Sequence, residues 1–495
     1  MIKISNQTVK TYPNFWNHCV FHPTDAVEDA WGRRILDKMA EDKAIDTVRI
    51  YTMFEDIVYI GENGELCYDF RVSDLRLDYL LEKGYNLMLA YAGIPDCIAS
   101  STKNKTTAAK NKTRYKGKMW NTSPPADMGV WEDMCYEYTK HIVERYGLET
   151  VKKWHCHCFN EPDIPNFFFS ELDRSEESEN IRCAAYCQMY EGFVKGIGRV
   201  SKEIMVGGPA LAHESSFLGK WLDFVKERNL KVDFISVHSY GTSVKKLNSR
   251  EEPFCVESLI RKYKEYDAVV RSHGFAHLPI IVDEWGMSSS GFFNRDECPD
   301  LMARETELFS AYFAKLIYRC IEEGIKFEKL MICLSGQHEM VVDFSGFRNF
   351  FTLNFIKKPI YNAYILSTRL GSEILDYSCD TENVFVIPTK TSSDAFSVMI
   401  TYSSEFFEEN IPSISEKLEF DEDVKGKKLT VWRIDRNTTN PYRTFEKMGV
   451  ENPDTEQIAI LRQEGLMKPV YEDISDGNYI TLDLTPNSTY LVTVE

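Results

Sequence analysis

The chain has 495 residues, 43% hydrophobic and 13% aromatic, with 26 Gly and 18 Pro. That balance excludes disordered, collagenous and low-complexity classes, and the length allows one large domain and a smaller one. A net charge of −18 repels a phosphate backbone and an anionic lipid surface, so a small molecule is expected as partner, with no nucleic acid and no membrane. The opening Met1-Ile2-Lys3-Ile4-Ser5-Asn6-Gln7 is broken by polar residues, and no apolar run approaches the roughly 18 residues of a membrane span. Thirteen cysteines, odd in number and scattered, fit free thiols in a reducing compartment; an unexported, cytoplasmic protein is the expectation.

In chain order, residues 2–9 read as a strand preceding the main pattern. From Phe15 to Arg348, short β-branched or apolar runs alternate with stretches of helical period. The predicted strands are 16–20, 47–51, 87–91, 153–159, 204–207, 234–238, 280–283 and 330–333. Among the helices, Asp25 and Glu28 have capping-box spacing before the stripe Trp31, Ile35 and Met39. Trp131, Met134, Tyr138, Ile142 and Tyr146 form another stripe ending at Gly147, and Asp300 opens a helix predicted to run to Gly324. Eight such units predict an α/β fold, a (β/α)8 TIM barrel with long loops, in which chemistry lies at the carboxyl ends of strands. Beyond Lys358-Pro359 the period changes to two, over 384–387, 395–402, 428–434, 479–484 and 490–494, predicting a C-terminal antiparallel β-sandwich. The expected division is 14–356 for the barrel and 1–13 plus 357–495 for the sandwich. No fixed repeat marks a solenoid or propeller.

Two strand ends carry acids. Phe159-Asn160-Glu161-Pro162 follows the fourth strand, where a half-buried carboxyl can protonate a leaving oxygen; by itself it also fits a surface turn. Ile280-Ile281-Val282-Asp283-Glu284-Trp285 ends the seventh strand, across the barrel mouth from the fourth. Paired carboxylates are what glycoside hydrolysis needs, with retention at about 5–5.5 Å separation and inversion at roughly 6.5–9.5 Å. Trp285 is expected either to stack on a sugar or to pack against the barrel.

These motifs resemble the clan of retaining (β/α)8 glycosidases, and the flanking sequence resembles glycoside hydrolase family 39, which includes β-xylosidases and α-L-iduronidases. Ser123-Pro124-Pro125, Arg145-Tyr146-Gly147, Val206-Gly207-Gly208-Pro209, Asp233 to Tyr240 and Lys358 to Tyr364 follow its pattern in order, as do Ile434-Asp435-Arg436 and Lys447-Met448-Gly449. The resemblance spans nearly the whole chain. It implies Glu161 as acid/base, Glu284 as nucleophile and Asn160 as partner of the sugar 2-hydroxyl. It further implies His238 and Tyr240 lining the site, with Tyr240 holding the nucleophile, and Arg49 keeping the pKa of Glu284 low. A retaining exo-glycosidase acting on small oligosaccharides is the expectation, xylosidase-like, without cofactor or metal; α-L-arabinosides, β-glucosides and uronides such as iduronide are the alternative sugars.

The sequence departs from the family pattern at two places. Arg49-Ile50-Tyr51-Thr52 puts Tyr51 where the xylosidases carry a sugar-contacting His, and the eighth strand continues as Ile332-Cys333-Leu334-Ser335-Gly336-Gln337-His338-Glu339 in place of a pocket Trp. Two other classes of function compete. His155-Cys156-His157-Cys158 puts two His on one strand face, as a metal-dependent barrel hydrolase would, but deep below the mouth and with the Cys on the opposite face. A catalytically silent sugar-binding barrel is the third class. The loop 103–118 holds Lys103, Lys105, Lys110, Lys112, Arg114, Lys116 and Lys118 without an acid. Two readings of it are attraction of an acidic sugar and a solvated or homo-oligomer-contacting loop.

Overall fold

The computed structural model describes the chain except residues 22–23, 107–118, 250–253, 290, 292, 335–339, 341, 406–410 and 422. Eight parallel strands close a barrel in sequence order: His18–Phe21, Thr47–Tyr51, Asn86–Tyr91, His155–Cys158, Met205–Leu211, Phe234–Thr242, Ile280–Ser288 and Phe327–Leu334. All eight coincide with predicted strands. The structure extends the fifth, sixth and seventh toward the mouth, the sixth and seventh through polar residues such as Tyr240 and Glu284. Val20, Met88, Phe234, Ile281, Met331 and Cys333 fill the barrel, so its centre is a packed core and not a pore.

The helices lie outside the strands, and two predicted ends change. The capping-box spacing at Asp25 and Glu28 falls on a 3-10 turn, Thr24–Glu28, and the helix starts later, at Ala30–Glu41. Glu28 instead accepts from the buried Arg76 at 2.6 Å, and that ion pair competes for its carboxylate. The stretch opened by Asp300 is a 3-10 turn, Pro299–Glu305, then the helix Glu307–Glu322. The break is at Thr306, whose hydroxyl caps Leu308 N at 3.2 Å. Met128–Tyr146 does end at Gly147, whose φ of +81° suits a residue without Cβ.

The remaining strands form one nine-stranded sheet ordered Pro469–Ile474, Lys428–Ile434, Ser488–Val494, Ala395–Tyr402, Val384–Ser392, Glu373–Cys379, Ile2–Thr11, Ile414–Phe420 and Tyr479–Leu484. It is mixed, because Ile2–Thr11 pairs in parallel with Ile414–Phe420 and antiparallel with Glu373–Cys379. Its two end strands, Pro469–Ile474 and Tyr479–Leu484, are separated in sequence only by residues 475–478. Such a link reaches about 15 Å, whereas nine flat strands would span roughly 38 Å, so the sheet must curl over itself into two layers. Ile2, Ile4, Val386, Val398, Leu418, Val431 and Val492 make the core between them. The other face turns Ile387, Met399, Trp432 and Leu491 toward the barrel's outer core.

Two helices that period-two reading missed, Pro441–Met448 and Thr455–Glu464, place Tyr442, Phe445 and Leu461 against Met302, Phe344 and Ile356. A buried pair, Arg443 Nη2 to Glu307 Oε1 at 2.9 Å, ties the first of them to the barrel. Among the described residues no helix is long and apolar enough to cross a membrane, and all thirteen cysteines are free thiols.

Candidate active site

Backbone irregularities aim the two acids. After the fourth strand, Phe159 and Glu161 adopt left-handed φ of +58° and +47°. Side chains with Cβ tolerate that region only when the surroundings enforce it. Glu161 N donates to Ala210 O at 2.9 Å, and Ala210, itself at φ +55°, is the extra residue where the fifth strand slips one position against the sixth. On the seventh strand Val282 pairs with Val237 and Glu284 with the next residue, His238, leaving Asp283 as a bulge. Such a bulge directs consecutive side chains inward that strict alternation would place on opposite faces.

Arg49, fully buried, contacts both Asp283 and Glu284. Its Nη1 donates to Glu284 Oε1 at 2.9 Å, Nη2 to Asn160 Oδ1 at 2.6 Å and Nε to His157 Nε2 at 3.0 Å, while Asp283 Oδ2 lies 3.2 Å from Nε. Burial opposes this charge, but Asp283, Tyr51 and Glu284 outweigh it and Arg49 stays a cation. Tyr240 OH donates to the other oxygen of Glu284 at 2.7 Å and accepts from Arg348 Nη1 at 2.9 Å. Tyr51 OH reaches Oε1 at 3.3 Å, its ring edge-on to Trp120. Glu284 is thus held as an anion: burial alone would raise its pKa, and His238, Arg49 and Arg348 with the Tyr240 hydrogen bond bring it far below the ordinary range.

Glu161 is shifted the opposite way. Burial raises its pKa, the neighbouring Glu284 adds to the rise, and His238 Nδ1, 2.9 Å from Oε1, offsets part of it. His238 sits among three acids, with Glu284 Oε2 at 3.7 Å and Asp283 Oδ1 at 3.6 Å. Burial pulls its pKa down, but Glu284 and Asp283 prevail and hold it up at about 10. Two carboxyls with opposed pKa shifts, one oxygen of each within 4.8 Å of the other, form a pair able to divide acid and nucleophile tasks. They open on a cavity of about 600 Å³, lined also by Tyr51, Asn160, His238, Tyr240 and Arg348.

Of the sequence-derived site residues, Glu161, Glu284, Asn160, His238, Tyr240, Arg49 and Tyr51 come together here. Trp285 does not. It is fully buried, stacked on Phe313 at 5.9 Å and edge-on to Phe309 at 6.2 Å, because alternation past the bulge sends it outward to the helix Glu307–Glu322. Sequence reasoning missed Arg348 and Asp283. Arg348 comes from an irregular segment whose spacing marks nothing, while Asp283 was visible as an acid at a strand end.

Glu161, His238 and Glu284 are, among the described residues, the group whose ligand atoms cluster closely enough for a metal ion. They do not fit one: His238 is held protonated, and Arg49 already faces Glu284. His157 and His155 are engaged elsewhere, His157 on Arg49 and His155 Nε2 at 2.6 Å from Glu328 Oε1. His157 Nε2 also lies 3.8 Å from Asp283 Oδ2. In the basic loop, Lys105 is paired with Asp96; Lys110, Lys112, Arg114, Lys116 and Lys118 lie outside the described residues, as do Ser335 to Glu339 after the eighth strand.

A closed (β/α)8 barrel and a carbohydrate-hydrolysing family assignment define the class: this is a glycoside hydrolase. The sequence profile described as "Glycosyl hydrolases family 39" matches residues 1–475, and the chain belongs to that family. It is 25% identical to a β-xylosidase of Caldicellulosiruptor saccharolyticus, with 97% of this chain and 95% of that protein covered. It is 23% identical to the α-L-iduronidase of Homo sapiens, over 40% of this chain and 28% of that protein. In fold it is similar to a monomeric β-xylosidase from Caulobacter crescentus CB15, with a TM-score of 0.83, 18% identity and coverage of 100% and 99% of the two chains.

Proposed function

We propose that the protein is a retaining exo-glycosidase that removes terminal sugars from small oligosaccharides, most closely a β-xylosidase. The observation that carries this reading is the pair Glu161 and Glu284, close together and oppositely shifted. An oxygen approach within 4.8 Å is closer to the carboxyl separation of about 5–5.5 Å that goes with retention than to the roughly 6.5–9.5 Å that goes with inversion. Glu284 attacks the anomeric carbon, and the bond to the departing oxygen breaks as Glu161 gives that oxygen a proton. Glu161, now a base, takes a proton from water as it attacks the same carbon and releases Glu284. Asn160, its Oδ1 engaged by Arg49, presents its amide N–H to the sugar 2-hydroxyl, and His238 orients Glu161.

Xylose is favoured by the β-xylosidase relatives, and a uronide is the second reading, favoured by the α-L-iduronidase relatives. No cofactor enters this chemistry. The free thiols support a cytoplasmic setting, and the charge of −18 supports partners other than nucleic acid and membrane. Residues 14–356 are assigned to catalysis and 1–13 with 357–495 to an accessory unit. The test is a panel of aryl β-xylosides, β-glucosides, α-L-arabinosides and uronides, with product stereochemistry followed by NMR. Retention on one of them is expected; an inverted product overturns the mechanism, and no turnover at all would return the chain to sugar binding without catalysis.

A further inference from the structure

Asp163 stands two residues after Glu161, and its carboxylate is closed off from solvent. Glu161, Ala212 and His213 line the cavity, whereas Asp163 does not reach it. Three backbone donors converge on that carboxylate: Oδ1 accepts from Ala212 N at 2.9 Å, and Oδ2 accepts from His213 N at 2.9 Å and Glu214 N at 3.1 Å. These amides lead from the fifth strand into the helix Ser215–Glu227, whose N-terminal end also favours a negative charge. The same two loops are joined a second time, since Glu161 N donates to Ala210 O at 2.9 Å and Ala210 N donates in turn to Ser236 Oγ at 3.0 Å. Glu161 and Ala210, the residues of that second joint, hold φ of +47° and +55°, a region that a side chain with Cβ leaves unless it is kept there. At the site the outcome is a short reach: Glu161 Oε1 meets His238 Nδ1 at 2.9 Å, and an oxygen of Glu161 lies within 4.8 Å of one of Glu284. A turn of the Glu161 peptide would lose both contacts.

We propose that Asp163 is a positioning residue for proton donation: its carboxylate locks the loop after the fifth strand to the loop after the fourth, and the lock keeps Glu161 aimed at the departing oxygen. This rests on the glycosidase reading of Glu161 and Glu284. The lock needs a group that only accepts, because three N–H donors share two oxygens. In Asp163→Asn one of those oxygens becomes an NH2 that faces a donor, so at least one bond is lost and the two loops part. A general acid contributes about 100-fold or more, and a misplacement of about 1 Å can forfeit about 100-fold.

The experiment uses the full chain and two aryl glycosides of the sugar that the panel identifies: a dinitrophenyl glycoside, whose phenolate departs without a proton, and a phenyl glycoside, which needs one. In Asp163→Asn, kcat/KM on the phenyl glycoside should fall about 100-fold and on the dinitrophenyl glycoside by less than about threefold. Loss of stability alone would lower both alike. In the Glu161→Ala background, where no acid is left to aim, Asp163→Asn should remove no more than about twofold further. An equal loss on the two glycosides, no loss, or an undiminished effect in the Glu161→Ala background overturns the proposal while the catalytic reading stands. An ungraded loss in Glu161→Ala itself overturns that reading, and the proposal with it. Near-UV circular dichroism checks that the variants fold. Should Asp163→Asn not fold, hydrogen–deuterium exchange of the parent decides: the amides of Glu161, Ala212, His213 and Glu214 should open in one event, with protection within about tenfold of one another, and a larger spread overturns the lock.

Discussion

Tyr240→Phe tests the electrostatics of the site with the removal of one oxygen. That hydroxyl donates to Glu284 Oε2 at 2.7 Å and accepts from Arg348 at 2.9 Å, so the change severs one charge-assisted hydrogen bond and uncouples the second cation from Glu284. Such a bond is worth about 1.5–3 kcal/mol. Expressed on the ionised form, it corresponds to a rise of about 1–2 units in the pKa of Glu284. The sign follows from the direction of the native shift: the pKa is depressed in the folded protein, a lost donor raises it, and the acidic limb of the pH profile moves to higher pH. Arg49 remains at 2.9 Å and keeps Glu284 ionised near neutrality, so the variant stays active there, with kcat/KM on an activated aryl glycoside lower by roughly 10–100-fold. The assay is kcat/KM against pH for both proteins. An acidic limb that does not move, with kcat/KM unchanged, would refute the coupling between Tyr240 and Glu284.

Three further outcomes are expected. Glu161→Ala should cripple glycosides with poor leaving groups far more than activated ones and recover with azide, whereas Glu284→Ala should lose both; an equal loss across leaving groups for Glu161→Ala counts against proton donation. Asp163 is buried and accepts from the backbone N–H of Ala212, His213 and Glu214 at 2.9, 2.9 and 3.1 Å, and these bonds with His213 outweigh burial and depress its pKa. Its contribution is therefore present above the unfolded carboxyl's pKa of about 3.9 and lost as pH falls through the lower folded value. Asp163→Ala should cost about 3 kcal/mol in urea unfolding at pH 7, and much less in strong acid. Trp285→Phe should lower stability by about 1–2 kcal/mol and leave KM within about twofold; a large rise in KM would put Trp285 back in the sugar pocket.

Much of the barrel was legible because several apolar runs lead into a polar residue at or just past the carboxyl end, as at Arg49, Glu161, His238 and Glu284. His238 and Tyr240 are two apart, so one inward placement implies the other. The failures have local causes. Periodicity cannot locate a bulge, and the one at Asp283 decides that Asp283 and Glu284 turn inward while Trp285 turns out. Arg348 sits in an irregular stretch that no period describes. The strands Ile414–Phe420 and Pro469–Ile474 escaped notice because charged residues interrupt them, Ser415-Glu416-Lys417 in one and Glu472-Asp473 in the other, the second being exposed along its whole length. Pro441–Met448 carries no predicted element, although Pro at its start and Gly449 at φ +63° after its end are ordinary helix signals.

The strand Ile2–Thr11 lies between Glu373–Cys379 and Ile414–Phe420. During synthesis it leaves the ribosome ahead of the barrel, yet its partners emerge only some 360 to 420 residues later, roughly 20–80 s at ordinary translation rates. The barrel can close in that interval while the amino-terminal strand waits unpaired. The curled sheet is then sealed by segments made before and after the barrel, so a fragment expressed from residue 357 would lack an interior strand and expose two edges.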